Sequence, residues 1–217
     1  MDSFLKQSAE FLPILMQGLR LTVIVTVGSL ALSTALGLVW ALMRVSGVPL
    51  LAGTAKAVVN VIRGIPIIVQ LFYIYFVLPD FGITLSALQA AIIGLGIAYS
   101  AYQAENFRAG IEAIDHGQVE AAQSIGMGWV LMMRRVILPQ AVRIVLPPYG
   151  NTMIMMLKDS SQASTITVAE FALQGKLIAS STFQNSTVFT LVALLYLTMS
   201  IPLIVLVGWL EKRFGHK

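Results

Sequence analysis

Leu21–Met43, LTVIVTVGSLALSTALGLVWALM, runs without a single charged residue. A helix that crosses a bilayer needs about 20 apolar residues at about 1.5 Å of rise each. This stretch meets that requirement, so the chain is read first as a membrane protein. The composition agrees: 57% of the 217 residues are hydrophobic and only 11% are charged. A soluble domain is about half apolar and roughly a quarter charged. The net charge of +4 comes from lysines and arginines scattered singly or in pairs between apolar runs. No dense basic face is present to follow phosphates, so no nucleic-acid partner is expected.

Working outward, Arg44 stops the run and Ser46-Gly47-Val48-Pro49 makes a turn. The next apolar stretch is interrupted by Arg63-Gly64-Ile65-Pro66. Proline lacks a backbone donor and disfavours helix in its predecessor, so a kink or break is expected there. A third run carries small residues (Gly94, Gly96, Ala98, Ser100, Ala101), which let helices approach closely where hydrophobicity cannot drive association. A fourth contains Pro147-Pro148, and a fifth ends at the charged tail from Glu211. The reading is an all-α integral membrane protein of one domain, residues 1–217, with about five spans at approximately 19–43, 57–79, 84–104, 140–158 and 186–210. Asp2, Lys6 and Glu10 precede any long apolar run, and the run that follows is too long for a signal-peptide core, so no cleavable signal peptide is expected. Without cysteine there are no disulfides or thiolate sites.

Five spans put the termini on opposite sides. One set of loops and span ends holds Arg44, Lys56, Arg108, Arg134, Arg135, Arg143, Lys212, Arg213 and Lys217; the other holds mainly Lys6, Lys158 and Lys176, with Arg20 near its border. The richer set belongs in the cytoplasm. The N-terminus is therefore expected outside, with the C-terminus and the polar segment 112–139 inside.

Within that segment, Glu120–Ala141 reads EAAQSIGMGWVLMMRRVILPQA. Glu120 to Ser124 favours helix, and Gly126 and Gly128 allow the chain to turn before a second helix starts at Trp129. On the residues alone this is either a docking element, with alanines that let a partner approach, or an ordinary interfacial loop. The spacing of Glu120-Ala121-Ala122, Gly126, Val136 and Leu138-Pro139 resembles the cytoplasmic signature of ABC-importer permeases, with Val136 where isoleucine is usual. Arg63-Gly64-Ile65-Pro66 with Val69-Gln70-Leu71, the stretch Ala101 to Arg108, and Leu157-Lys158-Asp159-Ser160-Ser161 resemble the polar amino-acid branch of that family.

The resemblance implies a type I importer permease of the bacterial inner (plasma) membrane working by alternating access. Two permease subunits, identical or paralogous, would form the pathway. Two ATP-binding-cassette subunits would bind beneath them, receiving the Glu120–Gly126 coupling helix between spans three and four. An extracytoplasmic solute-binding protein would deliver an amino acid. This chain has no phosphate loop, since Gly175-Lys176 is followed by Leu177 and lacks the earlier glycine. It is expected to be no enzyme and to bind no cofactor, with ATP and Mg held by the partner ATPase subunits. A compatible solute or an opine is the alternative cargo. An ion-coupled secondary transporter or channel subunit is the alternative mechanism, for which inverted repeats and acidic residues in mid-span would be favourable signs. A membrane subunit without a pathway is a third reading.

Polar groups at membrane depth are functional candidates. Lys158 and Asp159 close the fourth span, where they either hold the two ends of an amino acid, with Ser160 adding a hydrogen bond, or snorkel to the outer interface. Gln70 and Gln103 either line the pathway or hydrogen-bond between helices. Arg63 reads as an anchor near the membrane border, and Glu105 with Arg108 as an intrahelical ion pair. Met153, Met155 and Met156 read as packing, and His116 and His216 are too isolated for a metal site, so no metal ligands are assigned.

Overall fold

The computed structural model describes residues 2–214; His216 and Lys217 fall outside the described residues. Among those described, every regular element is helical. Helix α1 (Asp2–Gln17) meets α2 (Leu19–Val45) at Gly18, and α3 (Pro49–Gly64) follows a short turn. Helix α4 (Ile67–Phe72) continues through a π turn (Tyr73–Val77) and a 3₁₀ turn (Leu78–Phe81). Next come α5 (Ala87–Glu112), α6 (His116–Ser124) and α7 (Trp129–Met132), the last passing through a π turn into α8 (Leu138–Asp159). A 3₁₀ segment (Ser160–Ile166), α9 (Phe171–Thr182) and α10 (Asn185–Phe214) complete the chain.

The break expected around Pro66 is a bend of 97° between α3 and α4. Such a break strands carbonyls at the end of α3, and the Gln70 amide turns back to donate to Ile62 O (2.9 Å) and Ile65 O (2.8 Å). By length and composition, α10 and the continuous stretch Phe4–Val45 are fit to cross a membrane, as is the bent pair taken together. Helices α5 and α8, at 26 and 22 residues, are about 39 and 33 Å long. Their inward faces carry the polar residues that make the site.

Small residues set the packing. Gly28 lies against Ile92, Gly96 under Leu32 and Gly37 against Ser100 and Gln103, a constant offset that makes α2 and α5 parallel neighbours. Gly150 lies on Val207 while Arg143, earlier in α8, shares a cavity with Arg213, later in α10, so the two helices run antiparallel. Val27, Ile204, Val205 and Trp209 are exposed where a soluble protein would carry charge, as lipid-facing helices require.

Helices α1 and α9 sit beside the spans and were not separately legible. Phe11 and Leu15 of α1 pack with Phe171, Ile178, Val188 and Val192, so α1 is an amphipathic helix folded onto α9 and α10. The tie is Glu170. Its buried carboxylate accepts from Ala172 N (2.9 Å) and Leu173 N (3.0 Å), capping α9, and from the Tyr196 hydroxyl of α10. Phe171 N donates to Thr22 Oγ1 of α2 across 3.4 Å. Glu170→Ala removes the cap, worth about 1 kcal/mol, and takes the acceptor from a buried hydroxyl, worth about 1–3 kcal/mol more. A fall of several degrees in the thermal unfolding midpoint of the purified protein is the expected result, with a smaller fall for Glu170→Gln.

Candidate substrate pathway and coupling site

Between α3, α5 and α8 lies a half-open cavity of about 360 Å³ lined by Arg63, Tyr99, Tyr102, Glu105, Asn106, Asn151, Thr152 and Met155. That volume is in the range of small-molecule sites, about 300–1,000 Å³. On α5, Tyr99, Tyr102 and Asn106 recur at helical spacing; on α8, Asn151, Met155 and Asp159 do the same. Two polar stripes therefore face each other.

One end of the cavity is anionic. The Tyr99 hydroxyl donates to Asp159 Oδ2 at 2.7 Å, so Asp159 adjoins the cavity through Tyr99. The other end holds a charge cluster. Glu105 is paired with Arg44 of α2 and with Arg108 (2.8 Å), the intrahelical pair expected from sequence, and Arg108 also pairs with Glu112. Arg63 lies 4.0 Å from Glu105, with its guanidinium 5.5 Å from the centre of the Tyr102 ring. Since Arg44 and Arg108 already occupy Glu105, Arg63 leaves this end cationic. Arg63 is thus more than a border anchor: it lines the cavity. Asn106 Nδ2 donates to Thr152 Oγ1 (3.0 Å) and Gln103 Oε1 (3.3 Å), joining α5 to α8 in the middle.

The other candidate residues distribute unevenly. Lys158 is exposed and forms no ion pair with Asp159 among the described residues. Ser160 is buried and donates to Leu157 O at 2.7 Å, its own helix backbone. Gln103 is fully buried against α2, outside the cavity lining, with its Nε2 unpartnered. Gln70 serves the helix break described above. Of the methionines, Met155 lines the cavity while Met156 is core. Sequence reading passed over Tyr99, Asn106, Asn151 and Thr152; their common helical faces were the available signal. A second cavity of about 370 Å³, among α2, α5 and α8, is lined chiefly by Leu38, Leu42, Phe107, Ile111, Val145 and Leu146. Its Thr34 and Tyr149 hydroxyls already bond each other at 2.9 Å, so it offers little to a zwitterion.

At the start of α8 lies the segment of the Glu-Ala-Ala signature. Asp115 accepts from Gly117 N (2.6 Å) and caps α6. The helix ends in a Schellman turn: Met127 N donates to Ala122 O (3.1 Å), Gly126 N to Gln123 O (2.9 Å), and Gly126 sits at φ +79°, a conformation that favours glycine. Ala122 is buried with Ile114, Met132, Met133 and Ile137, which brace α6 from behind. Glu120 and Ala121 are exposed, and so are Ile125 and Val130. The knuckle thus has a fixed back and an open front.

The chain thus combines a bundle of apolar helices, a polar cavity and a braced, solvent-facing knuckle. Residues 33–216 match the family described as binding-protein-dependent transport system inner membrane component, and the chain belongs to it. It is a permease of an ABC importer, a multi-pass inner-membrane protein rather than an enzyme; ATP hydrolysis belongs to separate subunits. The chain is similar to the probable amino-acid ABC transporter permease protein YckA of Bacillus subtilis (strain 168), at 38% identity over 211 residues, 97% of this chain and 93% of the relative. It is 40% identical over 198 residues to the probable glutamine ABC transporter permease protein GlnM of the same organism, covering 91% and 92%. A crystal structure of an amino acid ABC transporter with histidines aligns with a TM-score of 0.89 at 38% identity, covering 97% of this chain and 98% of that one.

Proposed function

We propose that this permease carries a polar amino acid into the cell through the cavity between α5 and α8. The observation that carries the reading is that cavity's dipolar build, with Asp159 behind Tyr99 at one end and Arg63 at the other. A free amino acid bears an ammonium and a carboxylate, and a polar side chain lengthens it. Asp159 and Tyr99 receive the cationic group, Arg63 the carboxylate, and Asn106 and Asn151 offer their side-chain carbonyl oxygens between, since the Asn106 N–H groups and the Thr152 hydroxyl are already donated within the bundle. Tyr99 and Glu105 are six residues apart, about 9 Å along the helix, so the two ends suit an extended molecule better than a compact one. Relatives named for glutamine and for amino acids in general, and a structure with histidines, support this class of cargo.

The chain crosses the membrane five times in this reading, by α2, the α3–α4 pair, α5, α8 and α10, with the N-terminus outside. Parallel α2 and α5 with antiparallel α8 and α10 are compatible with that path. The α6 knuckle faces the cytoplasm and fits a groove of an ATPase subunit. Two such subunits, a second permease chain and an external solute-binding protein complete the assembly, and ATP with Mg is held by the ATPases. Closure of the ATPase pair, transmitted through Glu120, Ala121 and Gly126, rocks the paired permeases between inward-open and outward-open states.

The test is uptake into vesicles that contain the reconstituted complex, with a panel of amino acids. ATP-dependent uptake of a polar amino acid is expected; uptake confined to a compatible solute or opine overturns the cargo assignment. Asp159→Asn loses one charge-assisted contact, so the substrate concentration for half-maximal ATPase stimulation is expected to rise roughly tenfold to a hundredfold, with assembly intact. Unchanged uptake removes Asp159 from the site.

A further inference from the structure

Where α8 and α10 meet at the α6 end of the bundle, a separate cavity of about 460 Å³ is lined by Asp115, Gln140, Arg143, Ile144, Arg213 and Phe214. It is remote from the polar cavity: Arg143 lies eight residues, about 12 Å of helix, before Asn151. Two cations from different helices converge on it, and neither Arg143 nor Arg213 has an acidic partner within ion-pair distance among the described residues. Among the lining residues the two arginines outnumber the one carboxylate, Asp115, so the cavity keeps a net positive charge. Asp115 accepts from Gly117 N as the α6 cap, and Glu211 accepts from Asn151 Nδ2 at 3.3 Å. The Arg213 guanidinium is held 5.1 Å from the Trp209 ring centre and 5.7 Å from that of Phe214. Aromatic contact of that kind limits the orientations of a planar cation while leaving its N–H donors free.

The depth of the cavity matters as much as its charge. Arg143 and Arg213 stand at the polar ends of the two most apolar stretches of α8 and α10, next to Trp209, a residue type that collects at the headgroup level. Ile144 and Phe214 give the same cavity an apolar wall. A guanidinium pair with a neutral amide, beside an apolar wall at the membrane surface, matches an acidic phosphodiester that carries acyl chains.

We infer that Arg143, Arg213 and Gln140 form a binding site for the phosphate of an anionic glycerophospholipid, wedged between α8 and α10. The inference goes beyond import and rests only on these helix ends lying at a bilayer surface. The two guanidiniums donate to the phosphodiester oxygens; Gln140, whose Nε2 already donates to Val136 O at 2.9 Å, adds its second N–H; and the acyl chains run along the outer faces of α8 and α10. Juxtamembrane basic pockets between helices are suited to acidic headgroups on general grounds. A zwitterionic lipid brings the same phosphate with a cation attached, and that cation is repelled by the net positive charge of the cavity.

The test uses the assembled permease–ATPase complex, stripped of lipid in neutral detergent and titrated with phosphatidylglycerol, with phosphatidylcholine or with inorganic phosphate. Native mass spectrometry counts the lipid retained. Saturable retention of phosphatidylglycerol in preference to phosphatidylcholine is expected. Arg143→Gln with Arg213→Gln is expected to weaken it by about tenfold per guanidinium. The Arg143→Lys and Arg213→Lys pair retains charge without the forked donors; a loss of about threefold against wild type is expected, and because wild type is its reference the test stays informative if the glutamine pair does not assemble. Wild-type retention by the substituted complexes, or equal retention of the two lipids, overturns the proposal. Displacement of bound lipid by millimolar inorganic phosphate makes the site one for free anion and overturns the lipid assignment.

Discussion

Gly37→Leu is expected to prevent recovery of a monodisperse permease complex. An atom added at Gly37 would lie 2.7 Å from Gln103 Cβ, 3.0 Å from Ser100 O and 3.1 Å from Ala104 N. Two of those three neighbours are backbone, which no side-chain rotation relieves. Accommodation requires α2 and α5 to separate, and in lipid that pair is held by close packing rather than by expulsion of water. Overpacking in a core that can relax costs about 1–3 kcal/mol, and this contact belongs at the top of that range or above it. Separation would also shift Gln103 and Asn106, and with them the link to Thr152 that crosses the polar cavity. The same leucine at Gly53, which is exposed and has nothing within 4 Å, provides the control. Size-exclusion profiles of the detergent-solubilised complex check both, and a sharp wild-type peak from Gly37→Leu would contradict this packing.

The apolar runs were legible because a bilayer imposes length and polarity on any helix that crosses it. The bend at Pro66 was legible because proline has a single backbone meaning there. Gln70 and Gln103 were harder. An amide inside an apolar run has several ways to satisfy itself, and here one turns to carbonyls freed by the break while the other is buried against α2. Single-residue reading could not separate these from a lining role. Faces would have done better: Tyr99, Tyr102 and Asn106, or Asn151, Met155 and Asp159, share a side of their helices at spacings visible in the chain. Helices α1 and α9 escaped because neither has an apolar run long enough to cross a bilayer, α9 having only 12 residues and α1 carrying Lys6 and Glu10 in its 16, and both dock against α10. The cavity-lining place of Arg63 was hidden because α3 meets α4 at a 97° bend, and its neighbour Tyr102 lies on α5, far along the chain.

Ala121→Asp is expected to abolish coupled uptake while leaving the permease folded. The two alanines of the signature differ in surroundings: Ala122 is 4% exposed and packs with Met132, Met133 and Ile137, whereas Ala121 is open to solvent. A carboxylate at position 121 meets nothing within the chain, so the thermal midpoint of the isolated permease should stay close to wild type. If the α6 front enters a groove on an ATPase subunit, that carboxylate is buried there without a partner. An uncompensated buried charge costs about 3–5 kcal/mol, or roughly 10²–10⁴ in association. Co-purification of the ATPase should fall by that order, and substrate-dependent hydrolysis with it. Ala122→Asp should act differently, collapsing the brace and lowering the thermal midpoint before any partner is added. Normal uptake by Ala121→Asp vesicles would mean that force reaches the permease through some surface other than this knuckle, since no contact that seals around a methyl group accepts a bare carboxylate unharmed.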